Sequence, residues 1–280
     1  MPVTRRRLGV ISAASLLIAA AAAAGLYVGY QRVVPLIEGG RCEASSSGQV
    51  VSLNTGQAGI AATIAGVAKR DALPSEAVIV AYAAAMQESK LQNLPYGDRD
   101  SLGVFQQRPS QGWGTPKQLE DPVYATSKFF SALAAVHGYQ RMPVYEAAQA
   151  VQHSADGYAY QKFEPMAAHM AGPFTGQDPH AVWCWYSQKI SGAVRADAAS
   201  SELTRTFGPL AAQTTADPGM TVQVVSPGDG WAVAAWLVSH AEQYRIDSVR
   251  YAGYVWSSAD GARGWTRSVS AARPGSVQLG

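Results

Sequence analysis

The chain has 280 residues, 48% of them hydrophobic, with 22 basic side chains against 20 acidic ones. That composition can build a packed core and leaves room for one sizeable domain plus a smaller one. The charge balance, with no basic run beyond Arg5-Arg6-Arg7, excludes nucleic acid as the expected partner.

Leu8 to Gln31 carries no charged residue and is rich in Ala, Leu, Ile and Val. As a helix it would extend about 36 Å, enough to cross a hydrocarbon core of about 30 Å. Arg5, Arg6 and Arg7 precede the run and Arg32 alone follows closely, which orients the N-terminus to the cytoplasm and the remainder outside. The expectation is a single-pass anchor in the cell membrane. The alternative is a cleaved signal peptide, with small residues at Ala20 to Ala24 for the peptidase and a secreted product.

Cys42 and Cys184 are the two cysteines. Outside the cytoplasm their default state is one disulfide, with two buried thiols as the alternative. There is no Cys-x-x-Cys and no flanking His pair, so neither a metal nor a cofactor is expected. Trp183, Trp185 and Tyr186 read as packing around that bond.

Residues 1–32 form the Arg cluster and anchor in this reading. Residues 33–56, small and polar around Gly39-Gly40 and Ser45-Ser46-Ser47-Gly48, read as a tether. A helical period starts near Gln57, with Ile60, Ile64, Val67 and Ala68 on one face and Lys69-Arg70 at the end. Leu73-Pro74-Ser75-Glu76 opens a second helix that ends near Glu88-Ser89. Leu91 to Gly114 is rich in Gly, Asn, Asp and Pro and predicts loops with a short hairpin. Asp121-Pro122 caps an amphipathic helix through Phe129, Phe130 and Leu133; further helices follow Pro143 towards His153 and span Tyr160 to Met170.

Residues 57–203 thus make one predominantly helical domain. Thr, Ala, Gln and Pro dominate residues 204–219, a predicted linker. Residues 220–280 read as a small α+β module: Thr221 to Val225 alternates like a strand, Asp229 to Tyr244 is helical, and Ser248 to Trp256 alternates again.

The richest chemistry gathers at Glu88. From Val78 to Gln87 no residue is charged, so this carboxyl group stands at the rim of an apolar helix. Burial disfavours its charged form and keeps a proton on it nearer neutrality, as a general acid in a sugar-cleaving cleft requires. A helix C-terminus is also mildly unfavourable for an anion.

Glu88-Ser89, Gly97-Asp98-Arg99 and Gly103-Val104-Phe105-Gln106 occur in an order and spacing that resembles the lysozyme-like superfamily. The likeness is to goose-type lysozymes and soluble lytic transglycosylases. It covers residues 74 to 165. A later Ala-Tyr-Asn-Ala-Gly-x-Gly element of the transglycosylases has its counterpart in Val151 to Gly157, with Gln152 for Tyr and His153 for Asn. The acid that goose-type enzymes carry soon after the Gly-Leu-Met-Gln element is absent; Gln107-Arg108 stand there. The C-terminal module is similar to one in exported actinobacterial proteins.

The resemblance implies a mainly α lysozyme-like domain (α+β) behind the transmembrane helix, with the small α+β module after it. It further implies a peptidoglycan-cleaving enzyme with Glu88 as acid and then base. Asp98, or Asp100, would be a second carboxylate, and Asp98 has the alternative of a turn residue. Ser89, Gln106, Tyr96, Trp113, His153 and Tyr158 would contact substrate, with Tyr160 a further aromatic candidate. Hydrolysis normally needs two carboxylates, whereas a lytic transglycosylase needs one, since the sugar's own 6-hydroxyl attacks C1. Competing readings are a wall-binding protein without turnover and an accessory to a secretion or conjugation machine. No protein partner follows from the sequence.

Overall fold

The computed structural model describes residues 40–153, 158–209, 212–215, 219–269 and 274–280, with the backbone alone for 212–215. The predicted membrane segment lies outside these residues. β1 (Arg41–Ser46) and β2 (Gln49–Asn54) form a hairpin, followed by α1 (Thr55–Arg70) and α2 (Ser75–Ser89). After a long loop come α3 (Pro116–Leu119), α4 (Pro122–Ala135), α5 (Val144–Gln152) and α6 (Glu164–Thr175). β3 (Val182–Trp185), α7 (Ala196–Phe207), β4 (Ala212–Thr215) and β5 (Gly219–Gln223) lead to α8 (Pro227–Ser239) and α9 (Ala241–Tyr244). β6 (Ser248–Tyr251), β7 (Tyr254–Ser257), β8 (Thr266–Arg267) and β9 (Ser276–Leu279) complete the chain.

The expectation of a mainly α domain with a small appended module is corrected, while the membrane helix expected ahead of it lies outside the described residues. About half of the described residues are helical, and two antiparallel sheets accompany them, ordered β2-β1-β3 and β4-β5-β9-β6-β7-β8. Among the described residues no helix is long and apolar enough to cross a membrane. The six-stranded sheet packs closely on the helices through α8, between β5 and β6. α8 lies against α1, α6, β3, β6 and β9. Its residues Gly230 to Ser239 are all buried, because helices cover one side and sheet the other, so it presents no polar face over that span.

The stretch read as a tether carries β1 and β2. Ser47 and Gly48 both take positive φ, the geometry of a two-residue hairpin turn. Cys42 and Ala44 alternate into the core and pair with Leu53 and Val51 on β2. On its other edge β1 pairs with β3, bringing Cys42 opposite Cys184, and the two form a disulfide. It closes a span of 142 residues; the chain-entropy model gives about 5 kcal/mol for such a loop.

The outer edge of β3 offers unpaired carbonyls, which indole donors from the C-terminal sheet region satisfy. Trp256 Nε1 donates to Cys184 O at 2.9 Å and Trp265 Nε1 to Val182 O at 2.7 Å. In the stretch read as a linker, α7 continues to Phe207; Leu203 and Thr206 are buried, and α7 rests on α1.

Candidate active site

Glu88 is the penultimate residue of α2, whose residues Ala77 to Met86 are buried almost throughout. The chain leaves the helix through Lys90 and Leu91, both with φ +57°. Left-handed geometry is costly for residues other than Gly. Here the side chain of Leu91 is wholly buried and Gln57 Nε2 on α1 donates to Lys90 O at 2.9 Å. These anchors hold a sharp exit one residue beyond the Glu88-Ser89 pair.

Opposite that exit, Leu102 and Gln107 form an antiparallel bridge with hydrogen bonds of 3.0 and 3.1 Å, the short hairpin predicted in this loop. Gly103 lies at its turn with φ +75°, and its N–H donates to Leu94 O at 2.7 Å. Val104 and Phe105 are buried, and the Phe105 ring stacks on Phe129 with centroids 4.4 Å apart. Ser89 Oγ donates to Val104 O at 2.7 Å. Gln152, on the last turn of α5, donates to Phe105 O at 2.9 Å. The end of α2, the 102–107 hairpin and the end of α5 are therefore pinned to one another.

The Glu88 carboxyl group is half-buried at this junction. Burial raises its pKa by disfavouring the anion. The Tyr160 hydroxyl, which donates to Glu88 Oε1 at 2.8 Å, the Gln152 amide and the Lys90 ammonium pull the other way, and the raised state prevails. Lys90 is itself lowered, first by burial and then by Lys162, while Glu88 raises it. The Lys90 and Lys162 ammonium groups lie 4.5 and 5.1 Å from the Phe163 ring centroid. The site is thus a carboxyl group of raised pKa with the Lys90 ammonium acting on it.

The remaining predicted residues are placed unevenly. Ser89 is buried and its hydroxyl also accepts from Gln92 N–H at 3.1 Å, which gives it a scaffolding task. Gln106 Nε2 donates to Gly103 O at 3.1 Å and Tyr96 O at 3.3 Å, while the Tyr96 ring is 68% exposed. Trp113 is half-buried, and its carbonyl accepts from the Tyr124 hydroxyl. His153 is exposed as the left-handed cap of α5. Tyr158 is exposed with its ring stacked 5.1 Å from that of Tyr145.

Asp98 is exposed, its nearest cation being Arg99 at 3.9 Å. Asp100 is bound to Arg108 Nε at 2.6 Å and accepts from Ser110 N–H at 2.8 Å. The Ser110 amide and Arg108 hold its carboxyl far below the ordinary range. The last part of the Asn-like element, residues 154–157, lies outside the described residues.

Sequence reasoning treated Tyr160 as a stacking candidate; it is wholly buried and reaches Glu88 through its hydroxyl. Gln152 was visible only as a departure from a motif, and Lys90 carried no signal beyond adjacency to Glu88-Ser89. A cavity of about 360 Å³ lies elsewhere, between α1, α7 and α9, and none of the residues predicted for the site lines it. No family model and no curated protein sequence matches the chain.

Proposed function

We propose that this chain cleaves peptidoglycan glycan strands between N-acetylmuramic acid and N-acetylglucosamine, with Glu88 as the sole general acid and base. The observation that carries the reading is the half-buried Glu88 carboxyl group, raised in pKa by burial and oriented by the Tyr160 hydroxyl at 2.8 Å. A proton passes from Glu88 to the glycosidic oxygen as the bond from C1 to that oxygen breaks. The substrate's 6-hydroxyl oxygen then bonds to C1, and its proton returns to the Glu88 carboxylate, leaving a 1,6-anhydro end. Support for this route over hydrolysis comes from the other carboxylates. Asp100 is tied to Arg108, and Asp98 stands in solvent beside Arg99, so among the described residues neither predicted partner carboxylate supports a water-activating role. The Cys42–Cys184 disulfide supports work in an oxidising compartment.

A wall-binding protein without turnover is the second reading, favoured by the same lack of a partner carboxylate beside Glu88 among the described residues. The test is incubation of the purified chain with peptidoglycan, followed by mass analysis of released fragments. Anhydro ends that vanish in Glu88→Gln are expected. Reducing ends would mean hydrolysis, and retention on the wall without release would establish the second reading.

A further inference from the structure

We propose that the cavity between α1, α7 and α9 is a binding site for a small organic molecule carrying a primary ammonium group, separate from the Glu88 site. The cavity measures about 360 Å³, within the range of small-molecule pockets. Two carboxylates, Glu202 and Glu242, line it, and no Arg or Lys does. Glu202 is engaged by Arg205 at 2.7 Å. Arg195 Nη1 donates to the carbonyl of Gln243, a residue of the cavity wall, at 3.3 Å. Glu242 makes no ion pair among the described residues, so one carboxylate at the cavity stands without a bound cation.

His240 adds an acceptor. Its Nδ1 lies 2.8 Å from Trp236 O; a carbonyl only accepts, so Nδ1 carries the proton and Nε2 keeps its lone pair. Burial lowers the His240 pKa to about 4, so the ring is neutral and does not repel a cation. Gly59, inside α1, faces this nitrogen. A β-carbon at that position would lie 3.2 Å from Nε2 and 3.6 Å from both flanking ring carbons. Glycine in a helix interior costs about 1 kcal/mol relative to alanine, and here its missing side chain leaves Nε2 open to the cavity.

Ser239 belongs to the cavity wall, with its Oγ turned into the protein. That oxygen is buried without a hydrogen-bond partner among the described residues. Buried polar groups normally have partners. Ile60, Pro122 and Tyr186 give the cavity an apolar wall, suited to the hydrocarbon part of an amine. A metal ion is a poor match, since no group of three or more His, Asp, Glu or Cys residues is placed to hold one among the described residues.

Cyclohexylammonium and its neutral counterpart cyclohexanol are the probes, titrated calorimetrically into the full chain. Saturable binding of the amine is expected, about tenfold or more tighter than the alcohol. Glu242→Gln should weaken the amine by a similar factor. Gly59→Ala should abolish binding while the melting temperature holds or rises, which separates loss of the site from loss of the fold. Absent saturation, equal binding of the two probes, or indifference to both substitutions would overturn the proposal. The Glu88→Gln variant should bind the amine like the wild type, so failure here leaves the glycan-cleaving reading standing.

Discussion

Removing one oxygen atom tests the electrostatic reading of Glu88. In Tyr160→Phe the ring stays in its buried position, and Glu88 Oε1 loses a donor at 2.8 Å. A hydrogen bond to a charged acceptor contributes about 1.5–3 kcal/mol. Only the part that favours the carboxylate over the acid moves a pKa. The Gln152 amide and the Lys90 ammonium remain beside the group, so about half of that range should appear as a shift. At 1.36 kcal/mol per pKa unit this comes to about one unit upward. Carbon-13 carboxyl NMR reads it directly, with the Glu88 signal assigned by its loss in Glu88→Gln. The basic limb of the glycan-release profile should move upward by a like amount, because the proton-bearing acid persists to higher pH. A Glu88 pKa that falls, or stays fixed, in Tyr160→Phe would refute both the hydrogen bond's role and the assignment of Tyr160 to this carboxyl group.

Glu88 also predicts a pH dependence of stability. Its folded pKa is raised, so the associated stability is fully present below the unfolded carboxyl pKa and is lost as pH rises through the folded value. Glu88→Gln titrates nothing there, and its urea midpoint should gain on the wild type between about pH 4 and neutrality; a variant that loses ground over that interval contradicts the raised pKa. Gly103 has φ +75°, and a β-carbon on it would collide with Leu119 O. Gly103→Ala should therefore cost about 1–3 kcal/mol, read as a lower urea midpoint, and should impair glycan release by shifting the hairpin held to Ser89. Replacing Cys42 and Cys184 together by serine removes a cross-link worth about 5 kcal/mol at most in the chain-entropy model; an unchanged denaturation midpoint would show that the β1–β3 pairing alone holds that edge.

α1, α2, α4 and α5 were legible because their signals are local, whereas α7 is absent from the sequence reading, where its end falls in the predicted linker. Asn54 caps α1 with Gln57 in reciprocal hydrogen bonds, Asp121-Pro122 starts α4, and apolar spacing fixes the faces between. The strands depended on partners far along the chain. Arg41–Ser46 contains Glu43, Ser45 and Ser46 and reads as polar text; it is a strand because Val182–Trp185 pairs with it and the disulfide secures that pairing. Asp229 to Tyr244 reads as a helix, yet no sequence period announces that two layers cover it, since Ala and Val suit either a face or a full core. At the site, Glu88 and the 103–106 turn were visible as a spaced motif. Tyr160 and Gln152 reach Glu88 from 72 and 64 positions away, and only the packing of α5 and the segment after it brings them there.

The backbone around Glu88 explains why a carboxyl group at this position can be held steady. A general acid must keep one geometry relative to the bond it protonates, and a carboxyl group on a mobile loop would not. Here the last turn of α2 carries it, and the two left-handed residues beyond resist relaxing. Lys90 is fastened through Gln57 and through its own ammonium to Met86 O at 3.0 Å, while Leu91 is buried completely. Two such residues cost of order 1–3 kcal/mol each, so the exit persists only because the surrounding core over-determines it. The same exit places Lys90 next to Glu88, where its charge favours the carboxylate. Burial and this cation therefore act in opposition on one proton, and the balance between them is adjustable at Lys90. Lys90→Met should raise the Glu88 pKa in the same direction as Tyr160→Phe, but without removing a hydrogen-bond donor from its oxygens. A rise with Tyr160→Phe alone would mean that solvent screens the ammonium fully.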